Sequence, residues 1–134
     1  MVYLSRKEYF CASHRLFNPK FSQEENLKIY GKCAYANGHG HNYELEVTVI
    51  GEPNPDTGMI LDLKILSDII KKEITDKVDH RHLNIDIDFL QGIIPTAENL
   101  AMVFWNMLAP KINPGKLYSI RVSETPNNFA EYRG

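Results

Sequence analysis

The chain has 134 residues, 43% hydrophobic and 24% charged, with seven prolines and eight glycines scattered along it; this is the profile of one globular domain and excludes a disordered or low-complexity chain. With 15 basic and 17 acidic residues the formal net charge is -2, so no electrostatic footprint for nucleic acid or an anionic membrane is present. No apolar run approaches the ~18 residues of a membrane-crossing helix, and no secretory signal opens the chain. Two cysteines and no such signal point to a reducing, cytoplasmic setting. There is no internal repeat or linker, and residues 1–134 read as a single domain.

Val2 to His14 reads as a long strand, with Val2, Leu4, Phe10 and Ala12 on one parity. Ser22 to Tyr30 carries a helix start: Ser22 can cap, Glu25 completes a capping box, and Gly31 stops the helix. His41 to Gly51 is the clearest strand, with Tyr43, Leu45, Val47 and Val49 facing one way and polar residues the other. One buried face favours antiparallel pairing. Turn residues fill Pro53 to Gly58, and a short strand is expected at Met59 to Leu61. Asp62 can cap a helix from Leu63 to about Lys77 with the stripe Leu63, Leu66, Ile69, Ile70 and Ile74. A second helix follows Pro95 from Thr96, with Ala97, Leu100, Ala101, Phe104 and Leu108 at helical spacing, and Pro110 ends it. Strands at Leu117 to Glu124 and Phe129 to Tyr132, turned by Pro126-Asn127-Asn128, close the chain. Strands and helices in separate runs predict an α+β fold: a four-stranded antiparallel sheet with two helices on one face. Open sheet edges invite further copies of the chain, so a homo-oligomer is expected.

Four of the five histidines fall in two H-x-H pairs. His39 and His41 share a face of one strand, with Gly40 between them free to bend. Antiparallel pairing brings His14, at the end of the first strand, beside them. Three neutral imidazoles with no fourth protein donor match an open, catalytic-type zinc site. Surface or core histidines would give the same spacing, and His80-Arg81-His82 is a competing pair in what reads as a polar loop. Cys33, six residues before His39 in a glycine-containing polar loop, could serve as a thiolate base; a small buried hydrophobe is the alternative. Cys11, between Phe10 and Ala12, reads as structural. Asp79 could orient His80, provided a turn lets adjacent side chains meet, or the two could merely finish a helix. Glu124 could accept two hydrogen bonds from a guanidine-like edge or simply be solvated at a strand end.

Taken together, FCASHRL around His14, GKCAYANGHGHNY with Cys33, His39 and His41, TGMILDL, VDHRHLN, PTAENLA and SETPNNFAEY run in order from Tyr9 to Gly134. In this the chain resembles the 6-pyruvoyltetrahydropterin synthase family of tunnelling-fold pterin enzymes. The resemblance implies zinc on His14, His39 and His41, one ion per subunit. It implies Cys33 as proton acceptor, Asp79 and His80 as a relay pair from a neighbouring subunit, and Glu124 as the pterin anchor. Thr96 and Glu98 match pterin-binding positions at a helix start, and His82 matches no ligand. It further implies two stacked trimers whose sheets form a barrel, and 7,8-dihydroneopterin triphosphate as substrate, with Mg2+ a possible companion of the triphosphate. Arg15, Lys20 and Lys32 are near enough in sequence to meet that group. The competing readings are a 6-carboxytetrahydropterin synthase, whose cysteine usually sits closer to the H-G-H segment, an inactive metal-binding homologue, and a lipocalin-like binder.

Overall fold

The computed structural model describes residues 1–134. In chain order the elements are β1 (Val2–His14), α1 (Gln23–Tyr30), β2 (His39–Gly51), α2 (Leu63–Ile70), α3 (Asp76–Val78), β3 (Arg81–His82), α4 (Ala97–Leu108), β4 (Lys116–Thr125) and β5 (Asn128–Tyr132). The sheet order is β3-β1-β2-β4-β5. The four long strands are antiparallel, and β1 and β2 pair along their whole length, from Val2 opposite Gly51 to His14 opposite His39.

One face of this sheet carries the core. Phe10 and Ala12 of β1 and Tyr43, Leu45, Val47 and Val49 of β2 are buried, as their parity requires. Leu66 and Ile70 of α2 and Leu100, Ala101, Phe104 and Leu108 of α4 pack into the same cluster. Each buried Val, Leu, Ile or Phe side chain among them stabilises the fold by about 1.5–3 kcal/mol on leaving water. Asp62 caps α2 by accepting from the Lys64 amide at 2.8 Å, and the helix runs on through a π-helical turn (Lys71–Thr75) into α3. Glu8 is a charge on the buried face, and the Ser67 hydroxyl and the Arg6 guanidinium satisfy it.

The structure corrects four expectations. Arg81–His82 is not loop: it forms a two-residue strand parallel to the end of β1, because the amides of His80 and Leu83 donate to the Cys11 and Ser13 carbonyls. Met59 to Leu61 is not a strand; Ile60 and Leu61 turn into the core instead, and Ile60 packs against Gly51 and Gly115. Cys11 is exposed rather than structural, since neighbours on a strand point to opposite faces and Phe10 and Ala12 take the buried one. The α1 capping box closes only in part: Ser22 Oγ accepts from the Glu25 amide and turns its own proton to Glu25 Oε1, both at 3.1 Å.

Candidate metal centre

The register alone assembles the histidines. His14 stands opposite His39 at the end of the β1–β2 ladder, and His41, two residues on, faces the same side. Their ligand nitrogens all lie within 4.8 Å of one another. The rings stand at 65–89° to each other with centroids 4.6–5.0 Å apart, like blades around a common point. His14 is fully buried, and its Nδ1–H donates to the Pro95 carbonyl at 2.7 Å. That bond fixes the tautomer and leaves the Nε2 lone pair aimed at His39 Nε2, 3.1 Å away. Two lone pairs at that distance repel unless a proton or a cation lies between them. His41 Nε2 is buried with no hydrogen-bond partner, and Glu124 Oε2 stays 3.9 Å from it. Such an orphan costs about 1–3 kcal/mol. A divalent cation would satisfy His41 Nε2 and take the place of the proton His14 and His39 otherwise share, so the donor set fits a metal, and three histidines leave a coordination position open.

Burial pushes the His14 imidazole down to about 4, with the neighbouring His39 and His41 pushing the same way against the Pro95 bond. Burial also lowers His41. Both shifts favour the neutral imidazole, the form that binds a cation. In the metal-free protein the unfolded chain takes up the His14 proton near 6.5 while the folded one refuses it until about 4. Stability is thus intact above pH 6.5 and falls as the pH drops toward 4, by about 3 kcal/mol from this residue. Urea midpoints of metal-free protein across pH 7 to 4 should trace that fall, and a flat profile would contradict it.

The approach to β2 depends on Gly38 rather than Gly40. Gly38 has φ +72°, and a Cβ there would sit 2.7 Å from the His14 carbonyl oxygen, whereas one at Gly40 would make ordinary contact at 3.6 Å. The bend expected at Gly40 is thus made one step before the strand. Gly38→Ala should destabilise the protein by about 1–3 kcal/mol and loosen the His14–His39 pairing. Denaturant unfolding checks the first effect and metal titration the second.

The other sequence candidates fall into two groups. Glu124, Thr96 and Glu98 line one cleft of about 330 Å³ with Leu16, Tyr30 and Phe129. Through Glu124 this cleft adjoins His41. Thr96 also caps α4, accepting from the Asn99 amide at 3.2 Å. Cys33 is half-buried in a 3-10 turn (Gly31–Ala34), and its carbonyl accepts from the Leu16 amide, two residues beyond His14. Arg15 donates from Nε to the Ala34 carbonyl and lies over the Phe17 ring.

Asp79 and His80 lie elsewhere. His80 takes the left-handed backbone (φ +60°) that lets adjacent side chains meet, and its Nδ1 is 2.9 Å from Asp79 Oδ2. The Cys11 amide, donating to Asp79 Oδ1, holds the Asp79 carboxyl below its ordinary range, and His80 adds to the effect. The His80 side chain is 81% exposed and borders a cavity with Cys11, Ser13 and Gly40. Cys11, Ser13 and Gly40 alternate with His14, His39 and His41 along β1 and β2, so His80 borders the sheet face opposite to the one that carries the histidine cluster of its own chain. His82 is outside the histidine cluster; its Nδ1 accepts from the Asn84 amide. Sequence reasoning missed two members of the centre. Tyr43, whose hydroxyl lies 3.2 Å from His14 Nδ1, shares His41's parity and was legible only as core. The Pro95 carbonyl leaves no signal in sequence.

The family model described as 6-pyruvoyl tetrahydropterin synthase matches residues 3–134. A 6-pyruvoyl tetrahydrobiopterin synthase of Dictyostelium discoideum is 47% identical over 133 residues, 99% of this chain and 96% of that protein. The Homo sapiens protein of the same name is 43% identical over 131 residues, 98% of this chain and 90% of that one. The solved structure of Caenorhabditis elegans 6-pyruvoyl tetrahydropterin synthase superposes with a TM-score of 0.93 at 40% identity, covering 99% of this chain and 95% of that one.

Proposed function

The chain belongs to the 6-pyruvoyl tetrahydropterin synthase family, and from that premise we propose that it converts 7,8-dihydroneopterin triphosphate to 6-pyruvoyltetrahydropterin and inorganic triphosphate. This is a carbon–oxygen lyase step of tetrahydrobiopterin synthesis in which the redox state of the side chain shifts internally. The carrying observation is the histidine cluster with its orphaned His41 Nε2, set beside the cleft of Glu124, Thr96 and Glu98.

His14, His39 and His41 would hold zinc, the dication that three neutral imidazoles and an open position suit best. When bound, zinc supplies Lewis-acid polarisation of the substrate's side-chain oxygens. The chain's own residues do the rest. Glu124 accepts two hydrogen bonds from the N2/N3 edge of the pterin, and Thr96 and Glu98 border the ring, which supplies the positioning term. Cys33 as thiolate removes a carbon-bound proton, and His80, oriented by Asp79, carries a second proton transfer. Since His80 faces away from its own metal centre, the pair acts on a neighbouring subunit. The unpaired edge strands β3 and β5 leave backbone donors and acceptors open to another copy of the chain, and two stacked trimers with a shared barrel meet that need. Mg2+ could accompany the triphosphate, and the cytoplasm is the expected compartment; no helix is long and apolar enough to cross a membrane.

The test is made on one purified sample. Metal content near one zinc per chain, triphosphate release from dihydroneopterin triphosphate and a 6-pyruvoyl product are expected. A 6-carboxy product with acetaldehyde would transfer the chain to that other reaction. Bound zinc with no turnover would make it an inactive homologue.

A further inference from the structure

Pro95 precedes the N-cap of α4, where its evident task is to begin the helix. Its carbonyl has another. The Thr96 amide donates to the Ile94 carbonyl at 2.8 Å, a three-residue γ-turn with Pro95 at its centre. The pyrrolidine ring holds φ near −65°, close to what an inverse γ-turn requires. The first helical bonds then go to Thr96, from the Leu100 amide to its carbonyl and from the Asn99 amide to its hydroxyl. The Pro95 carbonyl is left free of the helix and accepts the His14 Nδ1–H at 2.7 Å in a buried setting. One residue further on, Thr96 and Glu98 line the cleft.

We propose that Pro95 is a positioning residue of the metal centre: its ring fixes the γ-turn, the turn presents the carbonyl to His14, and His14 is thereby held with Nε2 as the metal-facing atom. The inference rests on the metal reading given under Proposed function. Alanine here keeps the carbonyl and the bonds from the Thr96 amide and Asn99 Nδ2 to the Ile94 carbonyl but loses the ring's hold on φ, so the aim at His14 loosens and the loss falls on the metal and not only on the fold. Outer partners of ligating histidines are worth roughly 10–100-fold in metal affinity.

The experiment compares wild type and Pro95→Ala by zinc titration against a chromophoric chelator, with thermal unfolding of both metal-free proteins alongside. The variant should bind zinc about 10-fold more weakly, a loss a purely structural proline would not cause. Ring nitrogen NMR of the zinc-loaded wild type gives an independent reading should the variant not fold: His14 should carry a slowly exchanging proton on Nδ1. Unchanged zinc affinity in the variant, or a His14 ring protonated on Nε2, overturns the proposal while the metal reading survives. A wild-type chain that binds no zinc overturns both.

Discussion

Cys33→Ala should lower turnover by about 1,000-fold, the middle of the range for losing a positioned proton acceptor, with zinc content and pterin binding unchanged. The backbone argues for so clean a separation. The turn carrying Cys33 is held by the Leu16 amide on the Cys33 carbonyl, the Arg15 guanidinium on the Ala34 carbonyl, and the Tyr35 amide on the Lys32 carbonyl. None of these uses the thiol, and Cys33 is outside the histidine cluster. Truncating it removes a base and leaves the loop and the ligands standing. Steady-state rates with metal analysis on the same preparation check it; an undiminished rate would remove Cys33 from the reaction.

A rescue is the second large effect. His80→Ala should also be nearly inactive, yet denaturing it together with Cys33→Ala and refolding the mixture should restore about a quarter of wild-type activity. The figure follows from random assortment of subunits around a symmetric ring, where one site in four combines an intact Cys33 with an intact His80 from the adjoining chain. The premise is the placement of His80 on the sheet face away from its own His14. A mixture no more active than its parts would mean that each chain builds its site alone.

The histidine cluster was legible in the sequence because a strand's period of two is strict. Once His39 and His41 are placed on a strand, their shared face follows, and antiparallel pairing with the preceding strand leaves His14 one place to be. Helix starts were legible for a similar local reason: Ser22, Asp62 and Thr96 each accept from an amide two or three residues ahead. Cys11 was misread because an apolar neighbourhood in sequence says nothing about which face a strand residue takes. Arg81–His82 was misread because a two-residue strand has no period, and only the carbonyls of Cys11 and Ser13 make it one.

By itself the order of residues determined the α+β architecture and the facing of the histidine trio, since these depend on periodicity and on strand pairing; Thr96 and Glu98 were named only through the family resemblance, because no period or near-neighbour bond marks a cleft. Only the tertiary structure decided that a proline carbonyl 81 positions away accepts the His14 Nδ1 proton, that His41 keeps a bare buried nitrogen, and that His80 sits beside Cys11, Ser13 and Gly40 rather than in the histidine cluster. Each of these depends on what lies across space from a polar atom, and a backbone oxygen looks the same in every residue until the chain has folded.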